Sequence, residues 1–275
     1  MAGVEHQVKA GNTRYGVCFA LFVSVYLGLS GLAQAATAVN LNADASARQA
    51  DLERIAGLYG PAYEFVILRN DKPVGRHRLT FARNKNSLQV GAESSIRISL
   101  GPLTLYRFSY RSSEIWTDGK LLSVASNTDD DGDRFSVFAQ ASEPRLQIEG
   151  PKGVLDLDAP EDGQLVLASN HWNPAVLGAR RVINTLTGEY SRVSITREGR
   201  ERLELGTARI EATRWRYSGD FEATVWYDDD GRWLALSFLG RDGSKIKYLC
   251  TTCRPADTQD GQNAVSVASE PGPKL

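Results

Sequence analysis

From Tyr63 to Cys250 the chain is a succession of short runs in which apolar and polar residues alternate, broken by tight-turn dipeptides. Asn70-Asp71, Asp118-Gly119, Asp131-Gly132, Asp230-Gly231 and Asp242-Gly243 each join two such runs. Alternation of period two puts successive side chains on opposite faces of a strand. Asp, Asn and Gly tolerate the positive φ that a two-residue hairpin turn demands. The runs include "AYEFVILRN", "PVGRHRLTFAR", "LTLYRFSYRSSEIW", "QLVLAS", "VSITREG", "RLELG", "ARIEATRWRYSG" and "RWLALSFLG". No helical sequence separates them, so their pairing is expected to be antiparallel. The fold class is therefore mostly β, a large antiparallel meander forming a barrel or a strongly curved half-barrel. One short N-terminal helix precedes it: in "DASARQADLERIAGLYG", Leu52, Ile55, Ala56 and Tyr59 recur at helical spacing, and Gly60-Pro61 stops the run.

The N-terminus reads as an address. Lys9 and Arg14 precede the apolar run "YGVCFALFVSVYLGLSGLAQAA", and Ala33-Gln34-Ala35 supplies small residues at a cleavage site. Ser24, Gly28, Ser30 and Gly31 interrupt that run, which weakens the rival reading as a membrane anchor. Cys18 lies within the run instead of at its end, which weighs against a lipoprotein. The expected organisation is a signal peptide over 1–35, a leader and helix over 36–60, a single β domain over 61–255 and a disordered polar tail over 256–275. Export to the periplasm of a Gram-negative cell follows as an expectation, with the membrane met only through the uncleaved signal peptide.

The chain of 275 residues carries a formal net charge of −1 at pH 7, which leaves no electrostatic basis for nucleic-acid binding. Removal of the signal segment takes Cys18 with it, so Cys250 and Cys253 in "YLCTTCRP" become each other's only partners in an oxidising compartment. A small disulfide loop is expected. A redox pair normally opens a helix after a strand, whereas this pair closes the last strand, and two thiols without nearby histidines do not fill a zinc site.

Catalytic signatures are sparse. His77 and His171 are the only histidines outside the signal segment, and no nucleophile elbow, zinc-protease helix, P-loop or dinucleotide fingerprint occurs. His77 shares the face of Leu79 and Phe81, as a core histidine with a hydrogen-bond partner would. "SNTDDDGDRF" mimics the first half of a calcium loop, but Phe138 stands where the closing Glu belongs, so a solvated hairpin turn is expected. No cofactor or metal is expected.

The aromatic pattern has more content. In "LTLYRFSYRSSEIWTDG" the alternation places Tyr106, Phe108, Tyr110, Glu114 and Trp116 on one face and Arg107 and Arg111 on the other. Trp215 and Tyr217 share a face opposite Arg214 and Arg216. Such strands line a ligand cavity or fill a β core with rings while the arginines meet water. "SNHWNPAVLGARRVINTLTGEY" poses the same alternative. Pro174 lacks an amide hydrogen and disfavours helical geometry at Asn173, so His171, Trp172 and Asn173 leave a strand and enter an irregular connection. That connection is a packing turn or the mouth of a site. On the second reading Trp172→Ala spares the fold and weakens binding, while the strand residue Trp215 is the better core candidate.

"YEF" with Gly75 and His77, "YRF", Trp116 with Asp118-Gly119, "TDD" with Gly132, "WNP", Asn184-Thr185 with Thr187-Gly188-Glu189, "RY" with Gly219, "WYD" with "GRW", and a closing "YL" together form a pattern. It resembles the DUF6134 family of exported proteobacterial proteins and, more loosely, the DUF3108 exported proteins. The likeness covers Tyr63 to Leu249 and departs at His171, where an aromatic hydroxyl is expected. It implies an envelope-located β-sheet protein of unassigned activity.

The function these residues point to is non-catalytic binding of a hydrophobic or amphipathic, lipid-like small molecule by a monomer. Tyr106, Tyr110, Glu114, His171, Trp172, Asn173 and Trp215 are the candidate contacts. A periplasmic hydrolase using Glu114 or Glu189 with His171, and a structural or protein-interaction module, are the alternatives.

Overall fold

The computed structural model describes residues 30–84, 86–160 and 164–253. The signal-peptide expectation falls mainly on residues 1–29 and the tail on 256–275, outside the described residues.

Helix α1 spans Ser30–Gly57, 28 residues, and is longer than the short helix expected from Asp44. Residues 32–56 contain neither Gly nor Pro and are rich in Ala, the best helix former, so nothing halts the helix upstream of Asp44. At its C-terminal end Leu52, Ile55, Ala56 and Tyr59 are buried as the spacing predicts, and Gly60, at φ +67°, turns the chain away.

Fourteen strands follow in one sheet: β1 (Ala62–Arg69), β2 (Lys72–Asn84), β3 (Ser87–Leu100), β4 (Leu103–Thr117), β5 (Lys120–Asp130), β6 (Asp133–Ser142), β7 (Arg145–Gly150), β8 (Gly153–Asp158), β9 (Arg181–Ile183), β10 (Tyr190–Leu205), β11 (Ala208–Gly219), β12 (Ala223–Tyr227), β13 (Trp233–Leu239) and β14 (Lys245–Cys250). Their order is β8 through β1, then β14 through β9, so two meanders join where the first and last strands pair, with Val66 opposite Leu249. Every pair of strands is antiparallel. The sheet does not close, because the edge strands β8 and β9 do not pair.

The turn chemistry explains the register. Asn70-Asp71, Asp118-Gly119 and Asp131-Gly132 have positive φ at both residues and close two-residue hairpins, with Arg69 opposite Lys72, Thr117 opposite Lys120 and Asp130 opposite Asp133. At Asp230-Gly231 and Asp242-Gly243 only the glycine has positive φ. Those two turns are longer, with Asp228 N donating to Arg232 O at 3.0 Å and Gly240 N to Ser244 O at 2.8 Å.

Three of the expected runs differ. "VSITREG" and "RLELG" are one strand, β10, because Gly199 marks a bulge between Arg197 and Gly199 opposite β11 and not a turn. "QLVLAS" forms no ladder strand. Val166, Leu167 and Ala168 are buried consecutively, and Ala168 makes a single parallel bridge to Ile183.

That run belongs to the stretch 164–190, which bridges the two limbs of the open sheet. On one limb, Ser126 Oγ of β5 donates to Thr185 O at 2.5 Å. A Cβ added to Gly150 of β7 would lie 2.8 Å from Gly188 Cα, so glycine is required for this backbone approach. On the other limb, Ile183 pairs with Tyr190 of β10. One face of the sheet, with Phe65, Leu79, Val90, Trp116, Ile148 and Trp233 buried on it, packs around this stretch.

Candidate functional site

"HWNP" is the most heavily braced part of the bridging stretch. Tyr227 OH donates to His171 O at 2.7 Å, and Tyr59 OH, from the end of α1, donates to Trp172 O at 2.6 Å. Asn173 caps a short 3-10 turn over Pro174–Gly178, its Oδ1 accepting from Ala175 N at 3.0 Å. Trp172 is 1% exposed and packs edge-on against Trp116 at 5.5 Å and Phe81 at 5.6 Å between ring centroids.

Beneath it lies a buried carboxylate. Alternation along β4 carries Glu114 to the inner face, where Oε2 accepts from Trp172 Nε1 at 2.9 Å and Trp116 Nε1 at 2.8 Å, and Oε1 accepts from Asn170 Nδ2 at 2.6 Å. Burial pushes the Glu114 carboxyl above its ordinary value, against the three donors that favour its charged form. Tyr110 OH, also from β4, donates to Thr185 Oγ1 at 2.8 Å. Burial pushes its phenol up to about 12.

Beside this cluster the inner faces of β2 to β4 and β12 to β14 enclose a cavity of about 630 Å³, walled on one side by residues 169–171 and 184–186. Leu79, Phe108, Phe221, Leu236 and Phe238 contribute apolar surface, and among the described residues the charged ones that line it, Arg216, Glu222 and Lys245, are exposed. The rest of the polar lining is neutral. His77 and His171 flank Trp233 at 5.5 and 5.4 Å between ring centroids. Burial depresses both imidazoles, His77 to about 3 and His171 to about 4, so both are neutral at physiological pH. His77 Nδ1 lies 2.7 Å from Ser94 Oγ, while His77 Nε2 and His171 Nδ1 are buried without hydrogen-bond partners.

The residues expected at a site therefore divide. Tyr110 and His171 line the cavity. Glu114, Trp172 and Asn173 stand behind its wall as supports, and Trp172 is a core residue and not a mouth residue. Tyr106 lies farther along β4, its hydroxyl donating to Asp130 Oδ1 at 2.7 Å, and Asp130 pairs with Arg241 at 3.0 Å. Trp215 is only partly buried and does not line the cavity, so the expected ranking of Trp215 over Trp172 as a core residue is reversed. Neither carboxylate proposed as a partner for His171 reaches it: Glu114 is taken by the two indoles and Asn170, and Glu189 by Lys152 and Thr187.

Sequence reasoning missed Trp233 and Tyr248 as cavity residues and treated His77 as core alone. The inward alternation of β2 was its available signal, but nothing local announces that β14 pairs with β1 and brings Tyr248 within 5.5 Å of the His77 ring. "TDDDGD" is a hairpin turn, with Asp129 accepting from Gly132 N and paired with Arg134. Among the described residues no group of three or more His, Cys, Asp or Glu side chains is placed to hold a metal ion. Cys250 and Cys253 are adjacent buried thiols, with Cys253 N donating to Cys250 Sγ at 2.8 Å.

Comparison with known proteins adds kinship. A family model described as a domain of unknown function, DUF6134, matches residues 65–251. Among solved structures the chain is similar to the crystal structure of a β-barrel-like protein of domain of unknown function DUF1849 from Brucella abortus, with 7% sequence identity and a TM-score of 0.48 over 69% of this chain and 93% of that one. No curated protein matches the sequence.

Proposed function

Because the chain belongs to the DUF6134 family, which carries no assigned activity, its function has to be read from its own site, and we propose that it is an exported envelope protein that binds a hydrophobic or amphipathic small molecule without chemical conversion. The carrying observation is the cavity of about 630 Å³, lined by apolar and neutral polar side chains with charge only at exposed positions. That volume lies within the range of small-molecule sites, roughly 300 to 1,000 Å³, and a lining that mixes apolar with uncharged polar side chains suits an amphipathic guest. The N-terminal segment supports export, and the periplasm is the proposed compartment.

Binding is favoured over hydrolysis because, among the described residues, neither inner histidine is paired with a carboxylate that would complete an acid-base relay. His171 is held neutral with Nδ1 unpaired, and the nearby carboxylate of Glu114 is consumed in bracing the wall. Native mass spectrometry of protein purified from a periplasmic extract tests the proposal. The expected spectrum contains a species heavier than the bare chain that reverts to it on organic extraction. A bare chain alone, together with no uptake of an uncharged fluorescent lipid probe, would overturn it.

A further inference from the structure

The two cavity histidines point to the chemistry of the guest. A neutral imidazole carries one N–H donor and one unprotonated acceptor nitrogen. In His77 the Ser94 hydroxyl occupies Nδ1 at 2.7 Å and orients the ring, leaving Nε2 without a partner. In His171 the ring is wedged between Tyr217 at 5.4 Å and Trp233 at 5.4 Å, and Nδ1 has no partner. Both residues are more than nine-tenths buried. Buried polar atoms without partners are uncommon in native proteins and call for an explanation.

The surrounding groups narrow that explanation. Tyr110, Ser169, Asn170 and Thr185 also line the cavity, but their side chains already bond one another. Arg216, Glu222 and Lys245 are exposed, so no fixed charge stands in the depth to neutralise an ion. Leu186 and Leu239, by contrast, line the cavity and remain 41% and 72% exposed, which offers apolar surface at its opening.

Resting on the binding reading above, we propose that the guest enters with an uncharged hydrogen-bonding group foremost, a hydroxyl or carbonyl set against the cavity-lining His77 and His171 rings, a small ring adjustment bringing the buried Nε2 or Nδ1 into reach, while its hydrocarbon lies toward Leu186 and Leu239. A fatty alcohol, an acylglycerol or a lipid ketone has this chemistry. A fatty acid, ionised at neutral pH, does not, because its carboxylate would be stripped of water among neutral groups. The other orientation, with a carboxylate at Lys245 and Arg216 and the chain inward, leaves both ring nitrogens unpaired.

The test is displacement of the uncharged dye N-phenyl-1-naphthylamine from the full-length protein at neutral pH by dodecanol and by dodecanoate. The expected result is that dodecanol displaces the dye at about tenfold lower concentration than dodecanoate. The ratio of dodecanoate to dodecanol concentrations needed for displacement should fall toward one in His77→Phe and His171→Phe, whatever their affinity for the dye, and His77→Gln, which keeps a hydrogen-bonding amide, should retain most of the preference. Dodecanoate competing as well as dodecanol in the unaltered protein, or the preference surviving in both Phe variants, would overturn the proposal. Failure of the dye itself to bind the unaltered protein would instead remove the cavity-binding reading on which it rests.

Discussion

Trp172 donates its indole hydrogen to Glu114 across the interior, at 2.9 Å, and thereby ties the irregular bridging stretch to strand β4. Trp116, two residues along the same strand, donates to the same oxygen. A single buried carboxylate thus orients two tryptophans and, through Oε1, the Asn170 amide. The cavity wall at residues 169–171 is fixed by this cluster and by the Tyr59 and Tyr227 hydroxyls.

Trp172→Ala should unfold far more readily than Trp215→Ala. Truncating a fully buried Trp leaves a cavity and removes one of the two indole donors to Glu114 Oε2, costing about 3 to 5 kcal/mol, whereas a partly exposed Trp on β11 loses roughly half of that or less. Urea unfolding of both variants measures the ranking, and equal midpoints would contradict the burial argument.

Glu114→Leu should be more harmful than Glu114→Gln. Leucine leaves the two indole hydrogens without an acceptor and the Asn170 amide with Ser112 Oγ alone, a loss of about 3 kcal/mol or more. Glutamine keeps one acceptor for the indoles and sets its amide against that of Asn170, costing about 1 to 2 kcal/mol. Because burial raises the Glu114 carboxyl in the folded protein, the fold binds that proton more tightly than the unfolded chain does. Stability from this group therefore falls as pH rises above about 4.5, and Glu114→Gln should flatten that decline in pH-resolved denaturation curves.

The histidines act in the opposite sense. Their folded values, about 3 for His77 and about 4 for His171, lie below the ordinary 6.5, so the unfolded chain takes up protons first as the solution is acidified. The stability they contribute is complete above pH 6.5 and is lost progressively down to about pH 3, with a total on the order of several kcal/mol. The double variant His77→Gln, His171→Gln should show a shallower acid transition in chemical denaturation. An unchanged acid limb would mean that the imidazoles are not buried neutral.

Cys250 and Cys253 should be joined when the protein is recovered from an oxidising compartment. The thiols are adjacent and buried at the end of β14, and the ring they would close is so short that its effect on stability should stay under about 3 kcal/mol. Thiol blocking under denaturing conditions followed by mass measurement decides it, with two labelled cysteines as the contrary result.

Exported protein should begin at Ala36, after the small residues Ala33 and Ala35. N-terminal sequencing checks this, and an intact Met1 in a membrane fraction would refute it.

Strand identity, turn positions and inward faces were legible because they are local properties. The face of Tyr106, Phe108, Tyr110, Glu114 and Trp116 follows from alternation along a single strand, and the three paired turns follow from residues that tolerate positive φ. The role of Trp172 was not legible, since Pro174 shows that the chain leaves a strand there but not that Glu114, 58 residues away, waits beneath it. Nor could alternation reveal the run at 166–168, buried on consecutive residues, or the pairing of β1 with β14 that assembles His77, Trp233 and Tyr248.

The failure of β8 and β9 to pair has a consequence for how such a molecule changes over time. In a closed barrel the bore is dictated by the number of strands and their stagger, so resizing the interior means rebuilding the ladder. Here the interior is dimensioned by side chains and glycine contacts on one bridging stretch, such as Asn170, Thr185 and Gly188. Substitutions confined to those few residues can widen, narrow or re-shape the chamber while every hydrogen bond of the sheet is kept, which makes the guest a more readily altered trait of this architecture than its frame.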